Sequence, residues 1–340
     1  LFNILKGDMS FVGPLPISPD CLNLSDWRIR KRNSVPPGLI SLWWIRQRAN
    51  IDYGSELDVD LEYIDKHGLR TDVGICLRAI PAILFGSSVR ESKEEMRLWG
   101  IRINNCTMVE SLEIIQQWLG SERGKQVCFV NADCANIAYR DQKYLEVLKK
   151  ADLCLADGIG LKLAGKLLDR EIVQNVNGTD MFPLLCERLA QRDAKVFLLG
   201  ARPEVVEGLV ERIKDHWPLL EVCGWQHGYF RPEEEPAIVQ KIRNSGAHLL
   251  LVAFGSPRQD LWIHEHLGET GVNVAMGVGG LFDFYSGRIA RAPLWMREIG
   301  MEWLYRLLQE PGRLWKRYLI GNGLFLGRVL KERFFPRKQD

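Results

Sequence analysis

From Ile101 onward, short apolar runs alternate with amphipathic stretches. The runs "QVCFVN", "DLCLA", "KVFLLG", "LEVCGW", "HLLLVAFG" and "NVAMGVG" are rich in Val, Leu and Phe and are flanked by Gly, Asn or Asp, which predicts buried strands. Between them, "YRDQKYLEVLKK", "PEVVEGLVERIKDH" and "PAIVQKIRNSG" carry apolar residues three and four positions apart, the spacing of one helix face. Strand, helix and strand in this order predict an α/β fold: a Rossmann-like, largely parallel sheet with helices on both faces. Such sheets bind ligands outside the carboxyl ends of their strands.

The flanking regions differ in texture. Residues 1–92 hold proline-rich turns ("SFVGPLPISPD", "RNSVPPGLISLWW") and end in a helical pattern, predicting a small, truncated N-terminal region. The charged residues 93–100 read as a linker, 101–294 as the α/β domain, and 295–340 as a basic helical appendage. In that appendage Arg297, Arg306, Arg313, Lys316, Arg317, Arg328, Lys331 and Arg333 are interleaved with Trp295, Trp303, Tyr305, Trp315, Tyr318, Phe325, Phe334 and Phe335. Cations and rings at helical spacing suit a membrane surface, where rings settle at headgroup level and cations meet anionic phosphates.

Composition narrows the class. At 46% hydrophobic and 26% charged residues, the 340-residue chain reads as a folded globular protein, and a net charge of +2 gives no footprint for nucleic acid. The eight cysteines form no C-x-x-C pair and read as reduced thiols, which predicts a cytoplasmic setting. No apolar run is long enough for a spanning helix, and no signal peptide is recognisable.

Candidate chemistry collects where the strands end. "LADGIG" places Asp157 one step past a strand, with Gly158 and Gly160 allowing a sharp turn and close backbone approach. The same edge gathers Asn131 and Asp133, Gly200, Gly255 with Arg258 and Gln259, and Gly279, Gly280 and Asp283. Asp157 can serve as a general base once bound substrate desolvates it, or can simply cap the following helix. Glycine-rich turns into helices offer backbone N–H groups to a diphosphate. No clean G-x-G-x-x-G, Walker lysine motif or G-x-S-x-G is present. "HEH" at His264–His266 lacks metal-site spacing and, like "DVD" at Asp58–Asp60, reads as a solvated face; no metal site is expected.

In order along residues 101–318, "VNAD", "ADLCLADGIG", "VFLLGARPEVV", "QHGYF", "VAFGSPRQD", "MGVGGLFDFYSGRIARAP" and "EWLYRLLQEPGRLWKR" resemble the WecG/TagA/CpsF glycosyltransferases. The resemblance implies an inverting, metal-independent enzyme needing no cofactor. It would move N-acetylmannosamine, or its uronic acid, from a UDP-sugar to a polyprenyl-diphosphate-linked GlcNAc, peripherally at the cytoplasmic face of the plasma membrane. It implies Asp157 as base, Asn131, Gln259 and Tyr229 around the substrates, and Arg306, Arg313 and Lys316 on the lipid diphosphate. Two positions depart from the pattern: Phe129 stands where members carry Thr, and Asn175 replaces the arginine of "R-V-x-G-x-D".

The stretches "LFNILKGDMSFVGPLP", "VPPGLISLWW" and "LDVDLEYID" resemble the carboxyl half of the bacterial sugar transferases, the polyprenyl-phosphate phosphoglycosyltransferases. Leu15 replaces the arginine of their "GPRP", and their catalytic Asp-Glu pair has no counterpart. The resemblance therefore implies a remnant that cannot perform the first transfer by itself. Two other classes stay open at this level: a non-catalytic membrane-surface module of a glycan assembly complex, and a nicotinamide-dependent oxidoreductase. Oligomeric state, homo-oligomer or monomer, is open too.

Overall fold

The predicted alternation of strand and helix is present in the computed structural model, which describes residues 2–17, 25–49, 55–85, 95–120 and 124–335. Cys21 and the first two residues of the expected linker, 93 and 94, lie outside the described residues. The chain forms two compact units, Leu1–Ser88 with Ala292–Gln309, and Val89–Arg291 with Glu310–Asp340.

The first unit begins with α1 (Phe2–Lys6), β1 (Ser10–Val12), α2 (Trp27–Arg32), β2 (Gly38–Ile40), α3 (Leu42–Ala49), α4 (Glu56–Lys66) and α5 (Leu69–Phe85). β1 and β2 pair in parallel, Val12 opposite Ile40. Beyond this pair the backbones of Gly13 and Gly38 meet so closely that a Cβ on Gly38 would lie 2.1 Å from the Gly13 nitrogen. Val12, Ile45, Val59, Tyr63, Ile75 and Ala79 pack as its core. Ser55 and Asp58 close a capping box that starts α4.

One expectation fails here. Of the "DVD" residues, Asp58 is exposed but Asp60 points into the unit, where Arg32 Nε donates to its Oδ2 at 2.7 Å. The same guanidinium donates to Glu56 at 2.5 Å and to the Leu15 carbonyl at 2.9 Å. Helical period, not polarity, decides the face: Asp60 follows Val59 and precedes Tyr63 and Ile64 on the inward side of α4.

The second unit opens with β3 (Met96–Leu98) and β4 (Ile101–Ile103), an antiparallel hairpin. Residues 96–98, expected within a linker, are therefore strand, because Met96 and Leu98 are buried in the core of this unit. There follow α6 (Met108–Trp118), β5 (Lys125–Val130), α7 (Ala132–Ala138), α8 (Gln142–Lys150), β6 (Leu153–Ala156), α9 (Ile159–Leu167), α10 (Gly178–Ala190), β7 (Lys195–Gly200), α11 (Pro203–His216), β8 (Glu221–Gln226), α12 (Glu235–Ser245), β9 (Leu249–Ala253), α13 (Arg258–Thr270), β10 (Val274–Gly277) and α14 (Leu281–Tyr285).

The six strands from β5 onward form one parallel sheet in the order β6-β5-β10-β9-β7-β8. Alternate side chains serve opposite faces. Val127, Phe129, Leu198, Leu251 and Met276 pack against α6, α10 and α11, while Cys128, Val130, Cys154, Leu250 and Ala275 enter the clusters on the other side. Burial on both faces explains strands that read as continuous apolar runs. The free edge of β6 is covered by Asn104, whose Oδ1 accepts from Cys154 N at 2.9 Å.

The region expected as a single appendage is divided between the units. α15 (Leu294–Glu298) and α16 (Glu302–Gln309) belong to the first, whereas α17 (Pro311–Trp315), a π-helical turn over Lys316–Gly321 and α18 (Asn322–Phe334) belong to the second. Phe325 and Val329 anchor α18 in the cluster holding Cys134, Ala135 and Leu161. Asn136 Nδ2 donates to the Gly321 carbonyl at 2.8 Å, and Asn136 Oδ1 accepts from Arg328 Nη1 at 2.7 Å. No helix among the described residues is long and apolar enough to cross a membrane.

Arg32→Ala would leave Asp60 buried without its cation, and is expected to destabilise the first unit by about 3–5 kcal/mol. Urea unfolding followed by tryptophan fluorescence checks this. A loss under about 1 kcal/mol would show that the pair contributes little beyond its own desolvation.

Candidate active site

Asp157 follows β6 directly, and its N–H donates to the Val130 carbonyl at 2.7 Å, tying it to the end of neighbouring β5. It does not cap α9. The cap position is Gly158, at φ +89°, with no side-chain cap hydrogen bond. The Asp157 carboxylate is thereby left to the binding edge. Asn175, standing where the motif has arginine, accepts from Gly158 N through Oδ1 at 2.5 Å and so braces the turn that presents Asp157.

Asn131 ends β5 and caps α7. Its Oδ1 accepts from Asp133 N at 3.0 Å and Cys134 N at 3.1 Å, which turns Nδ2 toward Asp157 Oδ2 at 3.5 Å. The amide expected to hold a sugar hydroxyl thus spends its oxygen on the helix start, leaving only its nitrogen for Asp157 and a ligand. Phe129, where members carry Thr, points into the core, its ring packed over Gly178.

Lys316 is exposed, with its ammonium 5.6 Å from the Trp315 ring. The neighbouring Arg317, given no role by the sequence, reaches Asp133 Oδ2 through Nε at 3.1 Å. Burial alone would lower its pKa, but the charge of Asp133, with smaller contributions from Tyr318, Cys134 and Asp157, outweighs this and leaves it raised. Arg317 lies within the π-helical turn over Lys316–Gly321 and is the residue of that turn that pairs with Asp133. Arg313 lies exposed in an ion pair with Glu310 at 2.6 Å, and Arg306 lies on α16 of the first unit.

Gln259 is buried. Its Oε1 accepts from Gly255 N at 3.1 Å and Gly279 N at 2.9 Å, joining the turns that leave β9 and β10. Its side chain is a brace for those turns, with Nε2 3.5 Å from Ser256 Oγ. Behind it Asp260 accepts from Tyr144 OH at 2.8 Å, and desolvation pushes its carboxyl up to about 6 against the opposing hydrogen bonds.

At the other side of the sheet, Gly200 ends β7 at φ +128°, where a Cβ would lie 2.6 Å from the Ala253 carbonyl oxygen. Arg258 lies 4.6 Å from the Phe254 ring centroid, and Tyr229, after β8, is exposed. Gly280 precedes α14, and Asp283 within it pairs with Arg288 at 2.6 Å. Neighbouring strands are about 4.8 Å apart, so five steps separate Asp157 from Tyr229 by roughly 24 Å. Asp157, Asn131, Asp133 and Arg317 make one cluster; Gly255, Gln259 and Gly279 make a second, toward the centre. Gly200, Arg258 and Tyr229 flank a third region, beside the point where β7 connects outward to β8 and β9 connects back to β10. A strand-order reversal of this kind opens a crevice for a ligand.

The remaining motif residues hold the shape of the edge. Asn177 caps α10 by accepting from Asp180 N at 2.8 Å, and Asp180 holds Arg291 of "RIARAP" at 2.8 Å.

Fold and site together define an α/β enzyme with a carboxylate at the carboxyl edge of an open parallel sheet. Residues 96–339 match the model of the Glycosyl transferase WecG/TagA/CpsF family, and the chain belongs to that family. Residues 1–86 match the Bacterial sugar transferase model. Among curated relatives, an N-acetylglucosaminyldiphosphoundecaprenol N-acetyl-beta-D-mannosaminyltransferase of Bacillus subtilis (strain 168) is 30% identical over 244 residues, 70% of this chain and 93% of the relative. The protein of the same description from Bacillus spizizenii (strain ATCC 23059 / NRRL B-14472 / W23) is 34% identical over 202 residues, 59% of this chain and 77% of the relative. These matches do not favour the non-catalytic module or the oxidoreductase.

Asp260 makes stability pH-dependent. Its folded pKa, about 6, lies above the ordinary 3.8, so its contribution is complete below about pH 4 and is lost as pH rises through 6. The shift corresponds to about 3 kcal/mol, and Asp60, also pushed up to about 6 by burial, adds in the same direction. Urea midpoints from pH 4 to pH 7 should fall, and Asp260→Asn should flatten but not abolish the slope.

Proposed function

We propose that this chain transfers N-acetylmannosamine, or a closely related sugar, from a UDP-sugar to a polyprenyl-diphosphate-linked GlcNAc with inversion at the anomeric carbon. The observation that carries the reading is the Asp157 cluster: a carboxylate at the strand edge, met by the Asn131 amide and by the field of Arg317. Support also comes from the named activity of the two relatives.

Inversion needs one displacement. The acceptor hydroxyl oxygen bonds to the anomeric carbon as the bond to the UDP oxygen breaks, and the hydroxyl proton passes to the Asp157 carboxylate. UDP leaves with the bonding electron pair. The crevice beside β7 and β9, with the open backbone of Gly255, suits the nucleotide, and the turns braced by Gln259 suit the diphosphate between nucleotide and sugar. We assign the diphosphate charge to arginine and backbone N–H groups, with no metal or cofactor.

The lipid-linked acceptor brings the enzyme to a membrane, and we place it peripherally at the cytoplasmic face. Supporting this, Trp315, Leu319, Ile320, Leu324 and Phe334 of the C-terminal segment are exposed beside Lys316 and Lys331.

UDP release from UDP-N-acetylmannosamine should require a short-chain polyprenyl-diphosphate GlcNAc. Asp157→Ala and Asp157→Asn should each lower kcat by about 10²-fold or more while UDP binding persists. Acceptor-independent release, or full activity in Asp157→Asn, would sink the assignment. In vesicle flotation, the double substitution Leu319→Asp/Ile320→Asp should reduce binding to anionic vesicles, and raised salt should do so for the unaltered chain.

A further inference from the structure

We propose that the N-terminal unit, most of which lies outside the glycosyltransferase match, tunes affinity for the acceptor's diphosphate through a buried clamp on Glu298. Glu298 sits at the end of α15, and its side chain is 0% exposed. Arg46 Nε of α3 donates to one carboxylate oxygen at 2.9 Å, and Arg78 Nη1 of α5 donates to the other at 2.7 Å. Arg46 is held in turn by Glu62 of α4 at 2.8 Å, so α3 and α5 meet the carboxylate directly and α4 braces one of its arginines. A charge at such depth is tolerated only with its partners in place, which makes the docking of α15 all-or-none.

What the clamp positions is α16. This helix starts four residues after Glu298, carries Arg306, and has no fully buried residue of its own. Its deep anchors within the same unit, Met296 and Glu298, lie just before it. With no fully buried residue of its own, α16 takes its placement from those anchors, and Glu298 is the charged one. The inference rests on the proposed acceptor chemistry, in which Arg306 serves the lipid diphosphate. Arg46, Arg78 and Glu298 are then positioning residues that act through the helix bearing Arg306.

The test uses the full chain with farnesyl diphosphate in detergent as the binding probe, alongside the transferase assay and amide exchange over residues 302–309. Arg78→Ala and Glu298→Gln should weaken farnesyl diphosphate binding about tenfold and raise the acceptor KM by a similar factor. Donor KM and kcat should stay within about twofold, protection of 302–309 should fall, and Arg78→Lys should recover most of the loss. Wild type that binds the diphosphate while both variants bind equally well, with unchanged protection, overturns the clamp alone. Equal losses in donor KM and kcat overturn it too, because they report general damage. Wild type that binds no farnesyl diphosphate and shows no acceptor-dependent turnover overturns the acceptor reading, and the clamp's ligand with it.

Discussion

Everything at the active edge depends on burying a parallel sheet on both faces. With helices over both sides, the strands expose polar backbone only at their ends, and all six present carboxyl ends to the same edge. Polar groups and glycine turns can then be added to this edge one strand at a time. Asp157, Asn131, Gly279, Gly255, Gly200 and Tyr229 are successive examples across the sheet, and the strand spacing sets how far apart their tasks must be. A nucleotide near β7 and a proton acceptor at β6 fit that geometry, since a sugar diphosphate must stretch between them.

Much of the polar inventory at this edge is structural. Asn131 spends its oxygen on a helix start, Gln259 joins two turns, and Asn175 braces the loop of Asp157. Each removes an unsatisfied backbone donor and holds a turn rigid, which positions the groups that meet substrate. The departure at Asn175 therefore has a local purpose: a short amide reaches the Gly158 N–H that the longer guanidinium, a donor only, could not satisfy.

The C-terminal segment shows the same division of labour on a larger scale. α18 is fixed by apolar packing around Phe325 and by the Asn136 hydrogen bonds, whereas α15 is fixed by a carboxylate between two arginines. Apolar packing tolerates small shifts, but a buried ion pair does not. The unit that holds the sugar-transferase match thus contributes a precise anchor.

The sequence by itself determined the α/β class, the six strands and the placement of Asp157 at a strand end, because buried strands and amphipathic helices impose periods that composition reveals locally. It also carried the two family resemblances. Tertiary structure alone decided the rest. Met96 and Leu98 look like linker until a hairpin partner buries them, and Asp60 looks solvated until Arg32 arrives from 28 residues away. Arg317 reaches Asp133 from the C-terminal segment, and Arg46 meets Glu298 across 252 residues. These are contacts between positions far apart in the chain, whose energies depend on burial and facing direction, and neither is written in the local pattern.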